Sequence, residues 1–284
     1  VGNVKVVTDS TADLPQGLIE ALNISVVPLK VHFGSDTYED GVDLSPDEFY
    51  EKLGNSELMP STSQPTPFQF EEQYRSFAED GYSSIISIHL SSRLSGTYQS
   101  AVIASQELEG EVDVTVVDSK KASYAIGIIV TEIARMAKDG AGKDECLARL
   151  DELLSNTAVY FMVDTLEYLE KNGRIGKASA VLGSLLKIKP ILSLNGEGEV
   201  YPADKARGSK KAVSKIIAEL EKAAGGSPVH IGLSHARAEQ AAEDLASRAK
   251  EHLDVRSTVI TTIGPVIGAH VGPGTVSISV MKAD

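Results

Sequence analysis

Apolar residues in the first half of the chain gather in short runs: VKVVTDS, ISVVPLKVHF, SSIISIHL, VDVTVVDS and TAVYFMVDT. Between them lie stretches of helical periodicity such as LPQGLIEAL. This alternation predicts parallel strands joined by helical crossovers. Helix starts are well marked. In SPDEFYEKL, Ser45 is an N-cap with Pro46 at the first helical position and Glu48 closing a capping box, and Thr66, Pro67 and Gln69 repeat the arrangement.

From about Thr157 the rhythm changes. A strand is followed by the helical stretch LEYLEKNGRIGKASAVLGSLL, and then IKPILSL, the turn NGEG and EVYPADK read as a hairpin. SKKAVSKIIAELEKAAGG is a helix ended by glycines, VHIGLSH a strand, RAEQAAEDLASRAKEHL a helix and VRSTVITTI a strand. The tail, GPVIGAHVGPGTVSISVM, reads as a Gly/Pro-rich loop with one helical turn and a final strand. A length of 284 residues allows two ordinary domains. The change of rhythm puts their boundary near Asn156, giving segments 1–156 and 157–284.

Composition narrows the function classes. A formal charge of -13 opposes nucleic acid binding, which depends on Lys and Arg displacing counterions from phosphates. The single cysteine, Cys146, excludes an intramolecular disulfide and a cysteine-based metal site, which points to a reducing compartment. The opening VGNVKVVTDS reads as a strand rather than a leader, and no apolar run approaches ~18 residues. A cytoplasmic chain without stable membrane insertion is the expectation. No H-E-x-x-H or His/carboxylate cluster calls for a metal.

Three loops carry candidate chemistry. In SIISIHLSSRLSGTYQSA a strand runs into a helix beginning near Ser95 and Gly96, and a helix N-terminus with its free N–H groups welcomes an anion. The alternative is that Ser95 simply caps its helix. MPSTSQPTP sets Ser61, Thr62, Ser63 and Gln64 between prolines, either as pre-organised donors or as an N-cap loop. IGPVIGAHVGPG holds His270 in a glycine-rich turn, as an anion donor or as a packing residue. Arg174 in KNGRIGK, and Lys205 with Arg207 in ADKARGSKKA, hint at a partner surface, against the alternative of a solvated face. The second pair precedes a helix whose N-terminal charges oppose its dipole.

The phosphate loop G-x-x-x-x-G-K-[ST], the dinucleotide fingerprint G-x-G-x-x-G and the nucleophile elbow G-x-S-x-G are all absent. A hydrolase or acyltransferase would need Ser95 paired with a base such as His270 or His89.

VTDSTADLP, TSQPTP and HLSSRLSGTYQSA, followed by VVDSKKASYAIG, YLEKNGRIGKASAVLGSLLKIKPIL, the K-x-R-x-x-K-K-A pattern from Lys205 to Ala212 and IGPVIGAHVGPGT, together resemble the DegV family. The likeness spans essentially the whole chain. It implies a two-domain α/β fold, with a mostly parallel N-terminal sheet covered by helices on both faces and a C-terminal domain with a mixed sheet. It further implies a binding protein with no catalytic residues and no cofactor. Such a protein buries a long-chain fatty acid and presents it to a separate fatty acid kinase catalytic subunit, which makes the acyl phosphate. Carried over residue by residue, Thr62, Ser95, the backbone of Gly96 and His270 would surround the carboxylate. Arg174 and Arg207 would meet the kinase, and Ala180, Leu182, Leu185 and Leu186 would line the acyl pocket. The resemblance also implies kinship with dihydroxyacetone kinases, which keeps a lone kinase as a further reading.

Overall fold

The computed structural model describes residues 3–184 and 188–283. The chain opens with β1 (Val4–Asp9), buried at every position, and a 3-10 turn over Ser10–Ala12. Then come α1 (Gln16–Ala21), β2 (Ser25–Val27), β3 (Lys30–Phe33), β4 (Asp36–Glu39), α2 (Pro46–Asn55) and β5 (Ser61–Ser63). α3 (Pro67–Glu79), β6 (Ser84–His89), α4 (Thr97–Glu107), β7 (Val114–Asp118), α5 (Tyr124–Lys138) and α6 (Lys143–Asn156) follow. The remainder runs β8 (Ala158–Met162), α7 (Glu167–Lys171), a 3-10 segment over Gly176–Ser184, β9 (Lys189–Leu194), β10 (Val200–Ala206) and α8 (Ser209–Ala224). It ends with β11 (Val229–His235), α9 (Glu239–His252), β12 (Val255–Thr262), α10 (Pro265–Val271) and β13 (Val276–Lys282).

Three sheets form. β2-β1-β6-β7 is parallel throughout, β4-β3-β5 is antiparallel, and β10-β9-β8-β13-β11-β12 is mixed, with only β11 and β12 parallel. The fold is therefore α/β with one parallel and one mixed sheet. ISVVPLKVHF, expected as one strand, is split at Pro28, which has no N–H to give a ladder; β2 joins the parallel sheet and β3 the small one. TAVYFMVDT belongs to the mixed sheet, where β8 runs antiparallel to both β13 and β9, and not to the parallel series its sequence context predicted. The helical stretch expected from residue 166 is broken at Asn172 and Gly173, where Gly173 takes φ +71, and it continues as the 3-10 segment.

Local signals account for the helix starts. Ser45 Oγ accepts from the Glu48 N–H at 3.3 Å while Glu48 Oε2 accepts from the Ser45 N–H at 2.8 Å, and Thr66 and Gln69 repeat this box. α8 ends on Gly225 in the left-handed region.

The core is layered around α5. This helix is buried on all sides over Tyr124–Thr131, as an all-round apolar stretch must be, and it touches β1 and β6 of the parallel sheet as well as β11 and β13 of the mixed one. Its fit is close: a Cβ on Gly127 would lie 2.6 Å from the Ala12 carbonyl, and one on Gly232 would lie 2.4 Å from the Tyr124 ring. Phe70, Tyr74, Ala101 and Leu108 from α3 to α4 cover the other face of the parallel sheet. Ile216, Leu220, Leu245 and Ala249 from α8 and α9 cover that of the mixed sheet.

Candidate functional site

Between these layers lies a cavity, about 770 Å³ of atom-free space when the solvent at its opening is counted. Its wall is mainly apolar. Leu29, Leu90 and Leu94 come from strand ends and loops of the first half, and Val159, Phe161, Leu194 and Val200 come from the mixed sheet. Ile263, Val266, Ile267 and Val271 close it from the last loop and α10.

Polar groups converge on this wall from distant parts of the chain. Thr62, on β5, places Oγ1 2.7 Å from Nε2 of His270 in the last turn of α10. Both residues line the cavity, as do Ser95 and Arg174. MPSTSQPTP is thus more than a cap loop, because Ser61–Ser63 pairs with β3 and the sheet fixes Thr62. His270 lies on a helix rather than in an irregular turn. Its Nδ1 is buried without a hydrogen-bond partner among the described residues. Burial, reinforced by the charge of Arg174, pulls the His270 pKa down to about 4, so the imidazole is neutral near pH 7.

Ser95 sits one residue before the N-cap of α4, which is Gly96. Its hydroxyl lies 2.9 Å from Thr97 Oγ1 and accepts from the Thr97 N–H at 3.3 Å. Ser95 therefore supports the helix start and lines the cavity at once. Gly96 has an ordinary φ of -75; its missing side chain makes room for Gln64, whose amide nitrogen would be 2.9 Å from a Cβ there.

Arg174, for which the resemblance implies a kinase contact, lines the cavity and is partly exposed. Its Nε donates to the Leu94 carbonyl at 3.0 Å and its Nη1 to the Asn172 carbonyl at 2.6 Å, which ties the turn after α7 to the loop carrying Ser95. Arg207 is exposed at the end of β10. Ala180 is exposed and Leu182 packs partly buried against the main core, and neither is among the described residues that line the cavity. Leu185 and Leu186 lie outside the described residues. The apolar lining that sequence reasoning missed carries no separate signal, since wall and core are built from the same residue types.

The geometry does not assemble a serine nucleophile at Ser95. Its hydroxyl pairs with Thr97 and not with His270. His89 is fully buried, with Nδ1 2.9 Å from Asp9 Oδ2 and Nε2 2.7 Å from Ser87 Oγ, and Tyr74 donates to the same hydroxyl. This Asp-His-Ser chain lies inside the parallel sheet under Phe70 and none of its three members lines the cavity, so it reads as a structural network. Among the described residues, no helix is long and apolar enough to cross a membrane, and no group of three His, Cys, Asp or Glu is arranged to hold a metal ion.

Comparison with known proteins agrees with this architecture. The DegV family model, described as that of an uncharacterised protein, matches residues 3–283. A DegV domain-containing protein of Halalkalibacterium halodurans is 40% identical over 278 residues, covering 97% of each chain. A DegV family protein of Thermus thermophilus, solved in a study of its fatty acid binding, superposes with a TM-score of 0.93 at 38% identity, covering 99% of each chain. DegV of Bacillus subtilis, described as a fatty acid binding protein, superposes with a TM-score of 0.89 at 35% identity, over 99% of this chain and 100% of that one. A stearic acid-binding protein of Eubacterium ventriosum gives 0.88 at 28% identity over 98% of each chain. The extent of these matches, with the shared fold, means that the chain belongs to the DegV family.

Proposed function

We propose that this protein is a cytoplasmic carrier that buries one long-chain fatty acid. Its tail would lie along the apolar cavity and its carboxylate would meet Thr62, Ser95, the Gly96 backbone and His270. The observation that carries this reading is an apolar cavity with the Thr62–His270 pair, Ser95 and Arg174 on its wall. The fatty acids bound by similar DegV proteins support the ligand class.

The energetics fit. A chain of ~14 methylenes at ~0.8 kcal/mol each contributes about 11 kcal/mol of gross transfer energy, before the costs of association. The tail thus supplies most of the affinity, while the polar groups orient the carboxylate, whose burial without donors would be very costly. A neutral imidazole and two hydroxyls hold it without neutralising it, which keeps one oxygen nucleophilic. Arg174 adds positive potential nearby.

We further propose that this carboxylate is presented to a separate kinase subunit. One carboxylate oxygen would attack the γ-phosphorus of ATP bound by that subunit, forming the acyl phosphate and releasing ADP. Partly exposed Arg174 and exposed Arg207 are the candidate contacts with the partner. The absence of a phosphate loop from the sequence supports assigning the nucleotide to another chain. Mass spectrometry of denatured, purified protein should release a fatty acid. No fatty acid there, and none after delipidation and re-exposure to long-chain acids, would overturn the carrier reading. Acyl phosphate formed with ATP and Mg²⁺ in the absence of any second protein would overturn the partner reading.

A further inference from the structure

The motif VTDSTADLP supplies no residue to the proposed carboxylate site, yet its second aspartate reaches across the fold to the helix that carries His270. Asp13 ends the 3-10 turn after β1 in a left-handed conformation, φ 48, which turns its carboxyl inward. Its Oδ1 accepts from the Gly264 N–H at 2.9 Å. Gly264 is the N-cap of α10. Asp40 is buried beside it with Oδ1 close to Gly264, and its Oδ2 is buried without a hydrogen-bond partner among the described residues.

A helix N-terminus normally has its first amides bound by the side chain of its own N-cap residue. α10 has none, because its N-cap is a glycine. The reason is steric: a Cβ at Gly264 would lie 2.8 Å from Asp13 Oδ1 and 3.2 Å from Asp40 Oδ1. Pro265, at the first helical position, has no N–H to satisfy. The amide just before it, that of Gly264, is thus taken by a carboxyl 251 positions away in sequence.

The rest of α10 is held as firmly. Tyr50 OH donates to the Ile263 carbonyl at 2.9 Å, just before the helix. Asn172 Nδ2 donates to the Ala269 carbonyl at 2.9 Å, one residue before His270. A seven-residue helix has too few internal hydrogen bonds to hold its own orientation. We propose that Asp13 is a positioning residue: it caps α10 from the N-terminal segment, beside the buried Asp40, and thereby sets the imidazole of His270 against Thr62. Asp13 is tied in turn to the cavity wall, because the Ser123 hydroxyl donates to its Oδ2 at 2.6 Å and Ser123 lines the cavity.

This rests on the fatty acid reading only for its functional consequence, and the test separates the two. Asp13→Ala, Asp13→Asn and Gly264→Ala would be compared with the parent protein by NMR of the His270 imidazole nitrogens and by binding of palmitic acid and 1-hexadecanol. Loss of one hydrogen bond at this depth corresponds to about tenfold. We expect Asp13→Ala and Gly264→Ala to shift the Nε2 resonance and weaken palmitic acid by about that factor while leaving hexadecanol within about twofold. Asp13→Asn, which keeps an acceptor for the Gly264 amide, should restore both readouts. Should Asp13→Ala fail to fold, Gly264→Ala against Asp13→Asn carries the comparison. Unchanged imidazole resonances in a folded Gly264→Ala protein would overturn the proposal, as would equal losses for acid and alcohol. If the parent protein binds neither lipid, the carrier reading fails and the imidazole resonances alone decide the positioning.

Discussion

Thr62 and His270 are 208 positions apart, yet Thr62 Oγ1 and His270 Nε2 meet at 2.7 Å in the wall of the cavity. Two short elements make this contact: β5, held by its pairing with β3, and α10, capped by Asp13. Neither element is long enough to be stable alone, so the pair reports on the packing of the whole molecule.

Thr62→Val removes the hydroxyl and keeps the shape. It leaves Nε2 of a half-buried imidazole unpaired, with Nδ1 already without a partner, which costs about 1 to 3 kcal/mol. Thermal melts should show a lower Tm, and fatty acid binding should weaken less than the Tm change implies if the tail dominates affinity. An unchanged Tm would show that the hydrogen bond contributes nothing to folding.

His270, with its pKa pulled down to about 4, should resist protonation in the native state. In the unfolded chain a histidine titrates near 6.5. The unfolded state therefore takes up a proton first, and this residue's contribution to stability, complete above about pH 6.5, is lost as pH falls toward about 4. An NMR titration should find the native midpoint near 4, and His270→Gln should flatten that part of the stability profile. A bound carboxylate should raise the midpoint, because it favours the imidazolium.

Asp40 should behave with the opposite sign. Burial, the largest cause, pushes its carboxyl up to about 7. A carboxyl whose native pKa lies above its unfolded value favours the fold at acid pH and loses that contribution as pH rises from about 4 to about 7. The Tm of Asp40→Asn relative to the parent protein should therefore rise between pH 4 and pH 8. A difference that is constant with pH would mean that Asp40 ionises normally in the fold.

Because α5 belongs to the first half of the sequence but packs against both large sheets, we propose that the division near Asn156 separates two segments that fold together. Calorimetry should show one cooperative transition. A fragment of residues 1–156 should expose the apolar face of α5 and bind a hydrophobic dye. Two resolved transitions, or a soluble and well-folded fragment, would contradict this.

Local and periodic features of this protein were decided by its sequence. The capping boxes at Ser45 and Thr66, the β9–β10 hairpin and the long helices α8 and α9 follow from residues within a few positions of one another, where propensity and side-chain hydrogen bonds act directly. The family strings also singled out Thr62, Ser95 and His270. Tertiary structure alone decided the split of ISVVPLKVHF between two sheets, the antiparallel placement of β8, the position of Arg174 on the cavity wall and the cap that Asp13 lends to α10. Each depends on which surfaces are buried against one another across the chain. A local pattern records that a residue is apolar or can donate a hydrogen bond, but not which distant group will meet it when the layers close around α5.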